Sequence, residues 1–409
     1  MINSFEVHAG WINDPERIGV CNIERSRGNE VISFAFDESW LSKYPGFIID
    51  PDITAAIGRQ YPPSEKPCFG FLSDTAPDRW GRKLMMRREA IESKEEGRTR
   101  RTLMESDFIL GVNDLGRIGA LRYYDPENDV YMSDRSIMAA PPIEKLRDLE
   151  NASLKMEDKD EEESRWLKNL VDPGSSLGGA RPKANVIDEK GNLWIAKFPS
   201  KNDETDIGAW EMTAHELAAK CGLSVPEAKI MKLSVYGSTF LSRRFDRSKD
   251  LRIHFASAMT MLGQTDDSDE DISYVDIASV IEEICVHPED DLHELWNRMV
   301  FNILISNTDD HLRNHGFILV DSGWSLSPCY DINPSVDKEE LALAIMNSHS
   351  KDTKEAIEVA PYFRLTVEEA YVRIKEMKEI IEKNWRYEAS RFGISKKEQD
   401  NMATAFTLY

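Results

Sequence analysis

The sequence predicts an α+β protein: a β-rich region, then a small lobe of strands with one helix, then a larger helical lobe. Three observations carry this. Residues 1–128 hold short apolar runs such as Val31-Ile32-Ser33-Phe34-Ala35-Phe36, interrupted by Tyr61-Pro62-Pro63 and Lys66-Pro67. Two further strand-like runs, Arg181–Ile187 and Leu193–Phe198, flank the turn Lys190-Gly191-Asn192 and precede a helical pattern. Beyond Arg252, apolar residues recur mainly at helical spacing.

Composition sets the boundaries of these regions. A chain of 409 residues exceeds what one hydrophobic core usually serves. The first region, 1–128, contains Pro77-Asp78-Arg79-Trp80-Gly81-Arg82, which opens a helix running through Arg88. Residues 129–165 are polar and end in Glu157-Asp158-Lys159-Asp160-Glu161-Glu162-Glu163, the pattern of an acidic linker or solvated helix face. The third region, 166–250, begins with the loop Gly174-Ser175-Ser176-Leu177-Gly178-Gly179-Ala180 before the hairpin. A helix follows, with Trp210, Ala214, Leu217, Ala218 and Cys221 on one face and Gly222 as its stop, and then strands near Ala228–Leu233 and Ser238–Leu241. In the fourth region, 251–409, Leu292, Leu295, Trp296, Met299, Val300, Ile303 and Leu304 form a core-facing stripe on a helix from Asp290 to Ile305. A last helix is expected from Val367 to about Tyr387.

Bulk properties exclude several function classes. The net charge of −22 argues against a protein that grips DNA by itself, because phosphate neutralisation requires a basic face. The basic residues between Arg79 and Arg88, and Arg98-Thr99-Arg100-Arg101, fit a solvated helix face better than a phosphate-binding patch. No apolar run approaches the ~20 residues of a membrane span, and Met1–Glu6 lacks the pattern of a secretory leader. Five scattered cysteines, none spaced Cys-x-x-Cys, read as reduced thiols. A cytoplasmic protein with no membrane partner is therefore expected.

The stripe helix runs into Ser306-Asn307-Thr308-Asp309-Asp310-His311-Leu312-Arg313-Asn314-His315, too polar to continue a buried helix. The strands Gly316–Val320 and Trp324–Leu326, joined at Asp321-Ser322-Gly323, then deliver Tyr330-Asp331-Ile332-Asn333-Pro334. Phosphoryl transfer from ATP requires a carboxylate at the attacking hydroxyl, hard oxygen ligands for Mg²⁺, a cation on the phosphates and a loop of backbone N–H groups over them. Asp309 and Asn314 stand five residues apart, the separation of the base and the metal-binding Asn in a protein-kinase catalytic loop. Asp331, after a short hairpin, matches a second metal-binding Asp, and Lys197, on a strand after a glycine-containing loop, matches the phosphate-binding Lys. Glu211, or alternatively Glu216, sits on the next helix as a partner for Lys197. The order describes a two-lobed protein-kinase-like fold with an additional β-rich N-terminal subdomain.

Simpler readings compete with each assignment. Asp309 and Asp310 alone would cap a turn, and Asp310 competes as the base. His311 and His315 have the spacing of zinc ligands on a helix, but no Glu lies between them and the segment lacks helical periodicity. Lys197 alone would be a surface strand residue, and the glycine loop lacks a Gly-Lys-Ser/Thr end. The combination, in this order, supports the phosphoryl-transfer reading.

At these residues the sequence resembles the HipA family of bacterial toxin kinases. Asn307–Phe317 and Leu326–Pro334 look like its catalytic and metal-binding segments, Ser175–Lys183 like its glycine-containing loop, and Arg243-Arg244-Phe245-Asp246-Arg247 like its adenine-side hinge. Gly70–Arg82 and Asn113–Leu121 resemble its N-terminal subdomain. The resemblance implies a fold related to the phosphatidylinositol kinases. It implies ATP and Mg²⁺ as cofactors, Ser/Thr-protein kinase activity, and an aminoacyl-tRNA synthetase or similar translation protein as substrate. It also implies a HipB-like helix-turn-helix antitoxin as partner, DNA contact mainly through that antitoxin, and a role in growth arrest or persistence. On this basis Asp309 acts on the acceptor hydroxyl, and Asn314 and Asp331 hold Mg²⁺. Lys197, Ser176, Gly178, Gly179, Ala180, Arg243, Phe245, His311 and Arg313 are candidate ATP contacts, and Ser176, with Ser175 as runner-up, is the expected autophosphorylation site. Arg243 and Phe255-Ala256-Ser257-Ala258-Met259 depart from the more acidic residues expected there, which leaves the protein substrate and the adenine contacts open. Two alternatives stand beside this reading: a non-catalytic kinase-like scaffold for a helix-turn-helix repressor, and a kinase of a small molecule or lipid.

Overall fold

The computed structural model describes residues 2–26, 28–134, 140–157, 170, 181–248, 251–266, 268, 271–320 and 323–406. The loop residues Ser175, Ser176, Gly178, Gly179 and Ala180, the acid run after Glu157 and the turn residues Asp321 and Ser322 lie outside them. The protein is of mixed α+β class. Its contacts divide it into two compact units, Met1–Ala196 with Asp246–Asp266, and Lys197–Phe245 with Asp267–Tyr409.

The first unit is built on strands β1 (Ser4–Ala9), β2 (Glu16–Ser26) and β3 (Asn29–Phe36), helix α1 (Glu38–Lys43) and strand β4 (Arg59–Gln60). Helices α2 (Gly70–Thr75), α3 (Arg79–Glu95) and α4 (Glu105–Gly111) follow, then strands β5 (Leu121–Asp125) and β6 (Val130–Tyr131). The six strands form one antiparallel sheet, ordered β4-β3-β2-β1-β5-β6. Alternate residues of β1 are buried, as the two-residue period of a strand requires. Phe5, Val7, Cys21, Ile32 and Phe34 from the sheet meet Phe69, Phe71 and Leu72 of the α2 segment in one core.

Helix α3 begins where Asp78 accepts a hydrogen bond from Gly81 N at 2.7 Å. The same carboxylate pairs with the Lys183 ammonium at 2.8 Å, both side chains being buried. The basic residues of this region are tied to acids: Arg82 binds Glu105, Arg98 binds Glu89 and Glu96, and Arg101 lies near Glu89 and Asp107. That is an ion-paired helix face. Helix α5 (Leu146–Glu157) takes up part of the polar 129–165 stretch and buries Leu146, Leu149, Ala152, Leu154 and Met156. Strands β7 (Lys183–Ile187) and β8 (Leu193–Lys197) form the expected hairpin, with Gly191 at a φ of 82° in its turn.

In the second unit, helix α6 (Ile207–Lys220) follows β8, and strands β9 (Ala228–Met231) and β10 (Thr239–Arg243) pair antiparallel. Asp206 caps α6 through Ala209 N and also accepts from Ser238 N and Oγ. At Gly208 the helix approaches β10 so closely that a Cβ would stand 2.1 Å from the Ser238 carbonyl. The chain returns to the first unit for β11 (Arg247–Ser248), β12 (Leu251–Arg252), β13 (Phe255–Ser257) and α7 (Ala258–Met261).

The rest of the second unit is mainly helical. Helix α8 (Tyr274–Ile284) starts with a capping box of Ser273 and Asp276. Helix α9 (Pro288–Leu304) has Pro288 at its first turn and Glu289, Asp290 and Asp291 at the positive end of its dipole. Its stripe is buried as the sequence predicts, with Leu292, Leu295, Trp296, Met299 and Val300 fully inaccessible. Strands β14 (Gly316–Val320) and β15 (Gly323–Leu326) form an antiparallel pair. Helix α10 (Thr353–Glu358) precedes α11 (Val367–Arg391), which runs four residues beyond its expected end, and a shorter helix α12 (Lys396–Met402) follows it.

Candidate active site

The second unit brings together three of the predicted residues around one ammonium group. Lys197 Nζ lies 2.5 Å from Glu211 Oε1 and 2.7 Å from Asp331 Oδ1. Lys197 comes from the end of β8, Glu211 from the second turn of α6, and Asp331 from the segment after β15. The close packing at Gly208 sets that turn beside β10, so the absence of a side chain there helps place Glu211. Burial alone would lower the Lys197 pKa, but the Asp331 and Glu211 carboxylates more than offset it and hold the ammonium above its ordinary value.

Asp331 adopts a left-handed backbone at φ 59°. A non-glycine residue seldom sits there, and the cost is of order 1–3 kcal/mol. The surrounding chain fixes it from several directions. Arg298, buried on α9, donates to Ser327 O at 2.6 Å, Cys329 N donates to Ser224 O at 2.7 Å, and Ser335 N donates to Ser306 O at 3.1 Å. Tyr330 Oη donates to Arg313 O at 2.8 Å, which sets the Asp331 segment alongside the loop carrying Asn314. The Tyr330 ring also stacks on Phe245, with centroids 5.6 Å apart. Phe245 follows β10 closely, and Arg243 at the end of that strand pairs with Glu227 at 3.4 Å.

The polar loop leaves α9 at Ser306, which takes a φ of 51°. Its two adjacent aspartates face opposite environments. The Asp309 side chain is 81% exposed and lies 3.5 Å from the exposed Lys338 ammonium. Asp310 is buried and accepts hydrogen bonds from Tyr274 Oη and from His315 Nε2, the latter at 2.7 Å. Burial raises the Asp310 pKa, but His315 and Tyr274 together bring it below the ordinary value, so the carboxylate is charged. Asn314 Nδ2 donates to Asp309 O at 3.3 Å, which leaves the amide oxygen as the atom offered to a cation. His311 and Arg313 are half-buried in the same loop, with His311 Nδ1 enclosed by protein.

The oxygen donors of Asn314 and Asp331 are of the hard type that suits Mg²⁺. A zinc site at His311 and His315 does not fit, because two imidazoles fall short of a zinc ligand set. Among the described residues no cluster of three or more His, Cys, Asp or Glu side chains forms a metal site. The sequence reading passed over Tyr274, which donates to Asp310, and Asn302, which donates to the Tyr274 hydroxyl. A signal for Asn302 existed: a polar residue inside the buried stretch from Arg298 to Leu304 must find a polar partner.

Residues 175–385, more than half of the chain, match the HipA-like C-terminal domain. The serine/threonine-protein kinase toxin HipA of Shewanella oneidensis is 24% identical over 239 residues, covering 49% of this chain and 54% of that protein. The provisionally named kinase Y4mE of Sinorhizobium fredii is 28% identical over 158 residues, covering 36% of each chain. The chain thus spans between about a third and about half of the length of these curated relatives. Among solved structures, a chain of the Shewanella oneidensis complex of HipA, HipB and operator DNA aligns over 98% of this chain and 95% of its own length. Its TM-score is 0.67 and its identity 18%, a likeness of fold. Through the domain at residues 175–385, this chain belongs to the HipA family.

Proposed function

We propose that the protein is an ATP- and Mg²⁺-dependent serine/threonine-protein kinase that acts as the toxin of a HipA/HipB-like pair. The observation that carries this is Lys197 held at 2.5 and 2.7 Å between Glu211 and Asp331, in the unit that also presents the exposed Asp309 side chain. Mg²⁺ at Asn314 and Asp331 would neutralise charge on the transferred phosphate. Asp309 would orient the acceptor hydroxyl and receive its proton as the hydroxyl oxygen bonds to the γ-phosphorus and the bond to the β–γ bridging oxygen breaks. Lys197 would bind the phosphates, with Glu211 keeping its ammonium in place. Ser176, or Ser175, would be an internal acceptor, and Arg243 and Phe245 would lie near the adenine.

The partner reading rests on the named Shewanella complex, in which HipA is found with HipB and operator DNA. By that analogy a small basic helix-turn-helix protein would bind this acidic chain and carry most of the DNA contact. A translation protein such as an aminoacyl-tRNA synthetase is the proposed target. Growth of cells expressing the chain tests the toxin role. Expression of the wild type should arrest growth, and the Asp309→Asn, Asp331→Ala double variant should not. Arrest by both would favour the scaffold reading. Mass spectrometry after incubation with Mg-ATP should find phosphate on Ser176 or Ser175, and an unmodified loop in an active enzyme would remove the self-modification.

A further inference from the structure

Asp310 belongs to a chain of five buried polar side chains that crosses three elements. Asn307 Nδ2 donates to Asn302 Oδ1 at 3.1 Å, and Asn302 Nδ2 donates to Tyr274 Oη at 3.1 Å. The Tyr274 hydroxyl then donates to Asp310 Oδ2, and His315 Nε2 donates to the same oxygen at 2.7 Å. All five residues are at most 4% exposed. A carboxylate only accepts, so His315 carries a proton on Nε2 and Tyr274 must direct its one hydrogen at Asp310.

The two ends of this chain bracket the catalytic candidates. Asn307 precedes Asp309 by two residues, Asp310 follows it directly, and His315 follows Asn314 directly. The Asp310–His315 bond closes the loop across the four residues that include Asn314. The Tyr274 ring lies edge-on to the His315 ring with centroids 5.4 Å apart, which fixes the imidazole as well as its bond. Consecutive side chains therefore divide the work: Asp310 points inward and is locked, and this turns Asp309 outward. The loop's regular structure is a single turn at Leu312–Asn314, and Tyr330 Oη on Arg313 O and Ser335 N on Ser306 O are among its other ties.

We propose that Tyr274, Asp310 and His315 are positioning residues for phosphoryl transfer, setting the loop that presents Asp309 and Asn314 without touching the substrate themselves. This rests on the kinase reading above and extends it. Misplacing reacting groups by about 1 Å costs ~100-fold in rate. Removal of the hydroxyl by Tyr274→Phe keeps the ring and its contact with His315 but takes from Asp310 one of its two donors.

The test compares wild type, Tyr274→Phe, Asp310→Asn, His315→Ala and His315→Gln in steady-state phosphate transfer from Mg-ATP. Tyr123→Phe serves as the control, because it removes another buried hydroxyl, one bonded to Thr75 in the first unit. Tyr274→Phe and Asp310→Asn should lower kcat by about tenfold to a hundredfold with KM for Mg-ATP within about twofold. His315→Gln, which keeps an N–H donor, should recover part of what His315→Ala loses. Tyr123→Phe should leave kcat unchanged even where its melting temperature falls as far. Unchanged kcat in Tyr274→Phe and Asp310→Asn, beside an active wild type, overturns the positioning role alone. A proportional loss of kcat in the control at the same melting temperature also overturns it, by reducing the network to general stability. A wild type without transfer overturns the kinase reading, and the positioning role with it.

Discussion

Lys197 meets two carboxylates that differ in exposure, and the difference separates their contributions. Glu211 is 4% exposed and Asp331 is 32% exposed, so the Glu211 pair is the one held out of water. Removing the charge of one member of such a buried pair destabilises by about 3–5 kcal/mol. Lys197→Met should therefore lower unfolding free energy in urea by an amount near that range. Addition of Glu211→Gln should recover part of it, and equal stability of the single and double variants would contradict a coupled pair. Much of this constellation was legible in the sequence, because each member sits at a predictable place: a strand end, the next helix, the residue after a hairpin. The choice between Asp309 and Asp310 rested on spacing alone. Their opposite exposures depend on Tyr274, thirty-six residues before Asp310, and no local pattern reports a partner at that separation. The glycine-loop residues are a separate matter, since Ser176 and its neighbours lie outside the described structure.

At the scale of elements, the α9 stripe was legible because seven apolar residues kept one helical phase over four turns. Its role as a platform was less so. Arg298, beside the stripe, is buried and ties α9 to Ser327 ahead of Asp331. Leu295→Ala should cost about 2–5 kcal/mol, the usual loss for a buried leucine, read as a lower urea midpoint. The β7 to α3 connection gives a different expectation. Lys183 and Asp78 are both buried, and both lie in segments singled out by the sequence, yet nothing in either segment announced the other. Burial pushes the Asp78 carboxyl up, and the Lys183 ammonium counters that only in part. Lys183→Met should destabilise the first unit by roughly 3–5 kcal/mol, with Asp78→Asn added to it restoring part of the loss. Additive losses in the double variant would mean the two groups act independently.

At the scale of the molecule, the net charge of −22 includes carboxylates that work against folding at neutral pH, and Asp50 is the clearest of them. Burial raises Asp50 to about 6, against the hydrogen bonds it accepts from Asp52 N and Phe71 N. A carboxyl whose folded pKa lies above its unfolded value binds its proton more tightly in the folded state. Its contribution is therefore full below about pH 4 and lost as pH rises through about 6. The stability of wild type relative to Asp50→Asn should fall across that window by an amount on the order of 3 kcal/mol. A pH-independent difference would contradict the shift. The sequence reading divided the chain into four consecutive regions, whereas its contacts form two units. The return of residues Asp246–Asp266 to the first unit was not legible, because it depends on long-range bonds such as Gly119 N to Asp246 Oδ2 at 2.7 Å and Ser257 N to Asp74 Oδ2 at 2.8 Å. The central claim, that this molecule transfers the γ-phosphate of ATP with Asp309 at the acceptor hydroxyl, is tested most directly by one rate. Labelled phosphate transfer from Mg-ATP should be measurable for the wild type and lower by about a thousandfold or more in Asp309→Asn. A wild type that transfers nothing, or an Asp309→Asn enzyme that keeps the wild-type rate, would contradict it.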